Sequence, residues 1–197
     1  MIHVEMHTAG AYRTNTYLFW QEGSKSCCIV DPGYEPEAIL QRVKELGLTA
    51  EAILLTHGHF DHVGGVKAIA ADTDCRVFLC PEDLSMSPMM TAGSLYYTDT
   101  YTEGTRLKLA GCDILVLHTP GHTAGSVCLL SEDLMFSGDT LFAGSCGRTD
   151  LPGGSEEKIT ASLARLAALE GNFRVLPGHG SISTLEQERK SNPYMPA

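Results

Sequence analysis

The heptapeptide Thr56-His-Gly-His-Phe-Asp-His62 puts three histidines and an aspartate within six positions, directly after the apolar run 51–55. Each such group, buried without a partner, costs roughly 2–7 kcal/mol or more. A chain that folds around them therefore needs something to hold them in common. Imidazole and carboxylate are the ligands that borderline metals such as zinc favour. Residues i and i+2 of an extended segment point the same way, so His57 and His59 can reach one ion. Asp61 and His62 follow once the chain turns and can reach a second, with Gly58, Gly64 and Gly65 permitting the bend.

Three further ligand-type residues stand where apolar runs end. They are His122 in Thr119-Pro-Gly-His-Thr-Ala-Gly125, Asp139 in Ser137-Gly-Asp-Thr140, and His179 in Leu176-Pro-Gly-His-Gly180. Two ions about 3.5–4 Å apart repel each other unless a shared carboxylate lies between them. Asp139 can be that bridge.

The runs that deliver these residues alternate in character. Residues 14–20 and 26–30 read as strands, and Asp31-Pro-Gly33 as a turn. A helix follows, with Pro36 in its first turn, Ile39, Leu40, Val43 and Leu46 as one stripe, and Gly47 to cap it. Strands are expected at 51–55, 76–80, 106–109, 113–117, 126–130, 134–136 and 173–176, and a helix at 63–71. A second long helix is expected after Ser155 as N-cap, with Ile159, Leu163 and Leu166 inward and Gly171 closing it. Segment 81–103, rich in Met and Tyr, is either a substrate-facing flap or a helical turn over the sheet. Two sheets packed together with helices outside, in one domain over 1–197, accommodate this order.

The 197 residues carry 14 Lys plus Arg against 24 Asp plus Glu, a formal charge of −10. That field repels polyanions, so nucleic acid is not expected as a partner. No run approaches the roughly 20 apolar residues of a membrane span. No basic and apolar leader opens the sequence. The seven cysteines are odd in number and lie mostly in strand-like runs. They read as reduced, buried side chains, which points to a cytoplasmic protein.

Thr56-His-x-His-x-Asp-His62 followed in order by His122, Asp139 and His179 resembles the metallo-β-lactamase superfamily over nearly the whole chain. The resemblance implies an α+β fold, an αββα sandwich of two mixed sheets packed face to face. It also implies two divalent ions per chain, zinc foremost, with iron or manganese as alternatives. His57, His59 and His122 would hold the first ion. Asp61, His62 and His179 would hold the second, with Asp139 bridging and Asp61 also orienting the nucleophile. Classical zinc β-lactamases of this superfamily carry a cysteine at the place of Asp139, which speaks against that activity. Gly138-Asp-Thr-Leu-Phe142 and Gly144-Ser-Cys-Gly-Arg148 are similar to glyoxalase II, the hydroxyacylglutathione hydrolase. Thr149-Asp-Leu-Pro-Gly-Gly154 and the stretch from Pro177 to Pro193 look like its short, single-domain bacterial relatives. The implied reaction is hydrolysis of a small thioester to an acid and a thiol. Persulfide dioxygenases share Cys146 to Asp150 and use one iron, held at positions matching His57, His122 and Asp139. A metal-binding protein without catalysis is a further alternative.

Arg148 sits where glyoxalase II has a basic residue contacting a substrate carboxylate; an ion pair with Asp150 is the competing reading. Cys146 and His118 are expected to be structural or to act from outside the ligand set. Asp31 is a turn aspartate or a support for a ligating histidine, the former preferred.

Overall fold

The computed structural model describes residues 1–195. One sheet runs β1 (Ile2–Ala9), β2 (Thr14–Gln21), β3 (Ser26–Val30), β4 (Thr49–Leu54), β5 (Arg76–Leu79), β6 (Asp99–Thr100) in sequence order. Its first three strands are antiparallel neighbours, and β3 to β6 pair in parallel. The second sheet contains β7 (Arg106–Leu109), β8 (Cys112–His118), β9 (Val127–Ser131) and β10 (Leu134–Gly138). A small hairpin, β11 (Leu141–Phe142) with β12 (Ser145–Cys146), stands apart. The second sheet is completed by β13 (Arg174–Pro177) and β14 (Ser183–Thr184), in the order β14-β13-β10-β9-β8-β7. Only β10 and β13 pair in parallel there. Both sheets are therefore mixed, as the sequence resemblance implies.

Side-chain alternation sorts each strand into two faces. Tyr17, Phe19, Val30, Leu54 and Phe78 of the first sheet meet Val116, Val127, Leu129, Phe136 and Leu176 of the second in one buried layer. The opposite faces take the helices. α1 (Pro36–Glu45) and α3 (Val66–Thr73) bury Ile39, Val43, Val66 and Ile69 against Ile29, Ile53 and Val77. α5 (Glu156–Ala167) buries Ile159, Leu163 and Leu166 against Leu117, Cys128 and Val175. Three shorter helices complete the chain: α2 (Phe60–Val63), α4 (Pro88–Thr91) and α6 (Leu185–Ser191).

Two helix ends show the local chemistry at work. Ser155 Oγ accepts from Lys158 N at the start of α5, as its sequence position predicts. Its far end differs from expectation. The helix stops at Ala167, and Gly171 lies beyond it. The guanidinium of Arg189 closes it instead, donating to the carbonyls of Ala167, Leu169 and Gly171. The expected helix 63–71 is likewise divided, because Gly64 and Gly65 sit between α2 and α3. Strand β1, read in neither pattern nor composition, pairs along its whole length with β2. Its alternating half-exposed residues mark an edge strand.

Segment 81–103 is a 3₁₀ turn (Pro81–Ser85), then α4 and β6. Tyr101 is buried, its hydroxyl donating to the Leu55 carbonyl, while Met90 reaches the pocket described below. Among the described residues, no helix is long and apolar enough to cross a membrane.

Gly33, in the turn after β3, packs its bare Cα against the backbone of α2. A Cβ there would stand 1.6 Å from the Asp61 carbonyl oxygen. Gly33→Ala is expected to cost about 1–3 kcal/mol by overpacking. For a chain of this size that lowers Tm by roughly 2–10 °C. Thermal melts monitored by circular dichroism test this, an unchanged Tm being the contrary result.

Candidate metal centre

The ligand-type residues gather at one edge of the two sheets. His57 and His59 follow β4, and Asp61 and His62 lie in α2. His122 occupies the β8–β9 turn, Asp139 follows β10 directly, and His179 follows β13. All seven sequence-predicted positions come together. His57, His59 and His122 form one group whose ligand atoms lie within 4.8 Å of one another, and Asp61, His62 and His179 form a second. Asp139 stands between the groups. Its Oδ2 is 3.5 Å from His122 Nε2 and 3.4 Å from His179 Nε2, and its Oδ1 is 3.4 Å from His62 Nε2.

Four of the five imidazoles are held from behind through Nδ1. A carbonyl oxygen can only accept, so His122 donates Nδ1–H to the Arg148 carbonyl (2.8 Å) and His179 donates to that of Tyr12 (3.0 Å). His62 Nδ1 lies 2.9 Å from Asp31 Oδ2. Thr56 spends its one hydroxyl proton on Asp31, so its oxygen accepts from His57 Nδ1 at 3.1 Å. Each ring therefore turns its Nε2 inward, the orientation that ligating histidines adopt. Inside, His59 Nδ1 and His122 Nε2 are 2.8 Å apart, and His62 Nε2 and His179 Nε2 are 3.2 Å apart. His57 Nε2, His59 Nε2 and Asp139 Oδ1 are buried with no hydrogen-bond partner. Orphaned buried acceptors facing one another call for cations, so the donor set fits divalent metal ions.

Asp31 exceeds the turn role preferred for it above. It is 1% exposed and also accepts from Thr56 N at 2.8 Å. One carboxylate thus fixes the end of β4 and the ring of His62. The positive φ of 48° at Asp31 belongs to the turn itself. Other supports were invisible in the sequence. Thr14 Oγ1 donates to Asp61 Oδ2 (3.1 Å). Asn15 Nδ2 donates to the carbonyls of Pro177 and Gly180 (both 3.0 Å), and Tyr17 OH to Pro177 (2.7 Å), bracketing His179. At Gly178 a Cβ would lie 2.2 Å from Asp139 Oδ1, so only glycine lets the strand pass.

Burial and mutual contact set the charges. Burial, reinforced by His62, holds His57 well below the usual imidazole range, and burial aided by His122 pushes His59 down to about 4. Burial also lowers His179, but its hydrogen bonds to Asp139 and Asp61 prevail and raise it to about 9. For His62, Asp139 and Asp31 outweigh burial in the same direction. Burial raises the two acids, yet His62 and the His179 bond keep Asp139 well below the carboxylate range, and the His179 bond keeps Asp61 low.

The groups open into a cavity of about 450 Å³ whose walls include Tyr12, Phe60, Met90, Phe142, Cys146 and Leu151. Arg148 is at its mouth, largely exposed and paired with Asp150 through two 2.7 Å hydrogen bonds. His118 lies outside the seven and donates Nε2–H to the Ala124 carbonyl (2.8 Å). His3 stacks on Trp20.

A family model of the metallo-β-lactamase superfamily matches residues 9–179. The chain belongs to that superfamily. The hydroxyacylglutathione hydrolase GloC of Haemophilus influenzae is 34% identical over 98% of both chains. The crystal structure of BLEG-1, a B3 metallo-β-lactamase, superposes with a TM-score of 0.91 at 32% identity, covering 99% of this chain and 100% of that one. TTHA1623, solved in a di-iron-bound form, gives 0.84 at 38% identity over 97% of this superfamily member and all of that chain.

Metal uptake by the stripped protein is expected to release protons. His62 and His179 are held protonated near neutral pH, and a protonated nitrogen cannot ligate. Affinity should therefore rise with pH until His179 has titrated, at about 9. Calorimetric titration in buffers of different ionisation enthalpy counts the protons, and a count of zero at neutral pH contradicts the charge states.

Proposed function

We propose that the chain is a binuclear metal-dependent hydrolase of small thioesters, producing a free acid and a thiol in the manner of glyoxalase II. The observation that carries this reading is the inward set of ligand-type side chains, divided into two groups with one carboxylate between them. His57, His59 and His122 would hold the first ion. Asp61, His62 and His179 would hold the second, and Asp139 would bridge. Such ions lower the pKa of coordinated water toward neutrality and polarise a carbonyl.

The side chains supply orientation. Thr14 fixes Asp61 at the pocket floor, where its free oxygen can orient a water hydrogen. The two carboxylates lining the pocket, Asp61 and Asp139, are both held ionised, so neither serves as a general acid. A departing thiolate needs none, whereas an alkoxide or amine does, which favours a thioester. End-to-end alignment with GloC adds support. The overall charge of −10 favours a small molecule over nucleic acid. Zinc is the first choice of metal for this donor set, although the di-iron form of TTHA1623 keeps iron in view.

The reading is tested on metal-defined protein with S-lactoylglutathione, other thioesters, glutathione persulfide with oxygen monitored, a cephalosporin and a phosphodiester. Similarity to BLEG-1 makes the cephalosporin a necessary arm of the panel, despite Asp139. Two ions per chain and turnover of thioesters above the rest are expected. One iron per chain with oxygen consumption would replace the hydrolase by a persulfide dioxygenase.

Asp139→Asn keeps the size but removes the charge between the groups. Metal affinity should fall by more than the roughly 10–100-fold typical of losing a partner behind a ligand. Activity should not return at high pH, because the site itself is lost. His118→Ala is the control expected to retain metal, and near-normal metal content in Asp139→Asn would refute the bridge.

Arg148 would meet an anionic group of the substrate at the pocket mouth. Exposed charge pairs are weak, so Arg148→Ala should raise KM by no more than ~5-fold with kcat little changed. Unchanged kinetics with a lowered Tm would assign the residue to bracing its loop with Asp150.

A further inference from the structure

We propose that Asp83 is the positioning residue for the first metal group, its carboxylate locking the His57–His59 turn of one sheet to the His122 turn of the other. The inference rests on the metal reading above and concerns a residue outside the ligand set and outside the pocket lining.

Asp83 lies in the 3₁₀ turn after β5 and is 0% exposed. Its Oδ2 accepts from Gly58 N at 2.8 Å and from Thr123 Oγ1 at 3.0 Å, and its Oδ1 accepts from Gly125 N at 2.7 Å. Gly58 is the residue between His57 and His59, and Thr123 follows His122. The donors come from chain segments 25 to 42 residues away, on both sheets. Three neutral donors, and among the described residues no Lys or Arg ion pair, compensate this charge. Burial accordingly pushes its carboxyl up while the Gly125 and Gly58 amides pull it down.

A buried carboxylate held only by neutral donors is an expensive way to stabilise a fold. It does what no neutral side chain of that size can. Two coplanar oxygens accept three bonds from two separate turns, whereas asparagine offers one oxygen and turns an NH₂ toward a donor. The two glycines are shaped to match. A Cβ at Gly125 would stand 2.8 Å from the Asp83 carboxyl carbon, and one at Gly58 would crowd Met86 Sδ at 3.0 Å. His59 and His122, whose nitrogens are 2.8 Å apart, are thereby referred to one common anchor. The second group contains no residue adjacent to an Asp83 donor, so the effect should be confined to the first.

Asp83→Asn and the milder Thr123→Val, which deletes one of the three bonds to Asp83 together with the Thr123–Ser126 hydroxyl contact, are compared with wild type and with Ser131→Ala. The last removes a hydrogen bond to the Asp113 carbonyl far from the site. Zinc affinity is measured by chelator competition, and long-range ¹⁵N–¹H spectra of the imidazoles report which group empties. Asp83→Asn should lose roughly 10–100-fold in affinity at one site, with the signals of His57, His59 and His122 affected and those of His62 and His179 retained. Thr123→Val should show a smaller loss at the same site, and it carries the test alone if Asp83→Asn does not fold. Ser131→Ala should lose stability without losing metal. Unchanged affinity in Thr123→Val and any folded Asp83→Asn, or equal losses at both sites, overturns the positioning role and leaves the metal reading intact. A wild-type chain that binds none of zinc, iron or manganese overturns both.

Discussion

The apolar layer between the two sheets is the constraint on which the site depends. Tyr17, Phe19, Phe78 and Phe136 fill it with aromatic contacts, the Phe19 and Phe136 rings lying 4.7 Å apart. Packing to interior density fixes how the sheets face each other to within fractions of an ångström. The strand ends that carry His57, His122, Asp139 and His179 inherit that accuracy. Helices α1, α3 and α5 cover the outer faces, while the short helices α2 and α4 lie at the edge where the ligand-type residues gather. Chemistry is thus placed where the layered architecture ends and loops begin.

Much of this was legible in the sequence, and the boundary of legibility has a physical basis. His57, His59, Asp61 and His62 announce themselves because four costly side chains stand in six positions. The inward stripes of α1 and α5 follow from the 3.6-residue period, and Ser155 from the orphan amides that it caps. What stayed hidden depends on long-range partners. Asp31 reads as a turn residue until Thr56 and His62 are seen folded onto it. Asp83, Asn15 and Tyr17 stabilise turns that only the tertiary fold brings near. Strand β1 escaped notice because an edge strand, wet on one side, needs little apolar content. The early ending of α5 was missed for the same reason, its closing donors arriving with Arg189 from another helix.

Electrostatics and stability are opposed at this edge. Four imidazoles within ring contact of one another and two ionised acids, nearly all buried, form a cluster that no apolar core would choose. The supporting shell is correspondingly dense. Carbonyls of Arg148 and Tyr12, the Asp31 carboxylate and the Thr56 hydroxyl each take one ring proton. Those partners turn the remaining ring nitrogens toward a common centre, and the orphaned nitrogens of His57 and His59 are the residual cost. That cost is local, since the apolar layer and the outer helices contribute their burial whether or not the centre is filled.

The bracket around His179 has a consequence in time. Asn15 and Tyr17 bond to carbonyls 160 to 165 residues further along the chain, and His62 faces a histidine 117 positions later. A ribosome releases the N-terminal strands and the Thr56–His62 cluster long before Pro177 and His179 exist. During that interval β2 has no partner for its polar tips, and the nascent chain displays half a chelating centre to the cell. The group of His57, His59 and His122 is complete once His122 has emerged, whereas the group of Asp61, His62 and His179 can close only after translation has passed His179.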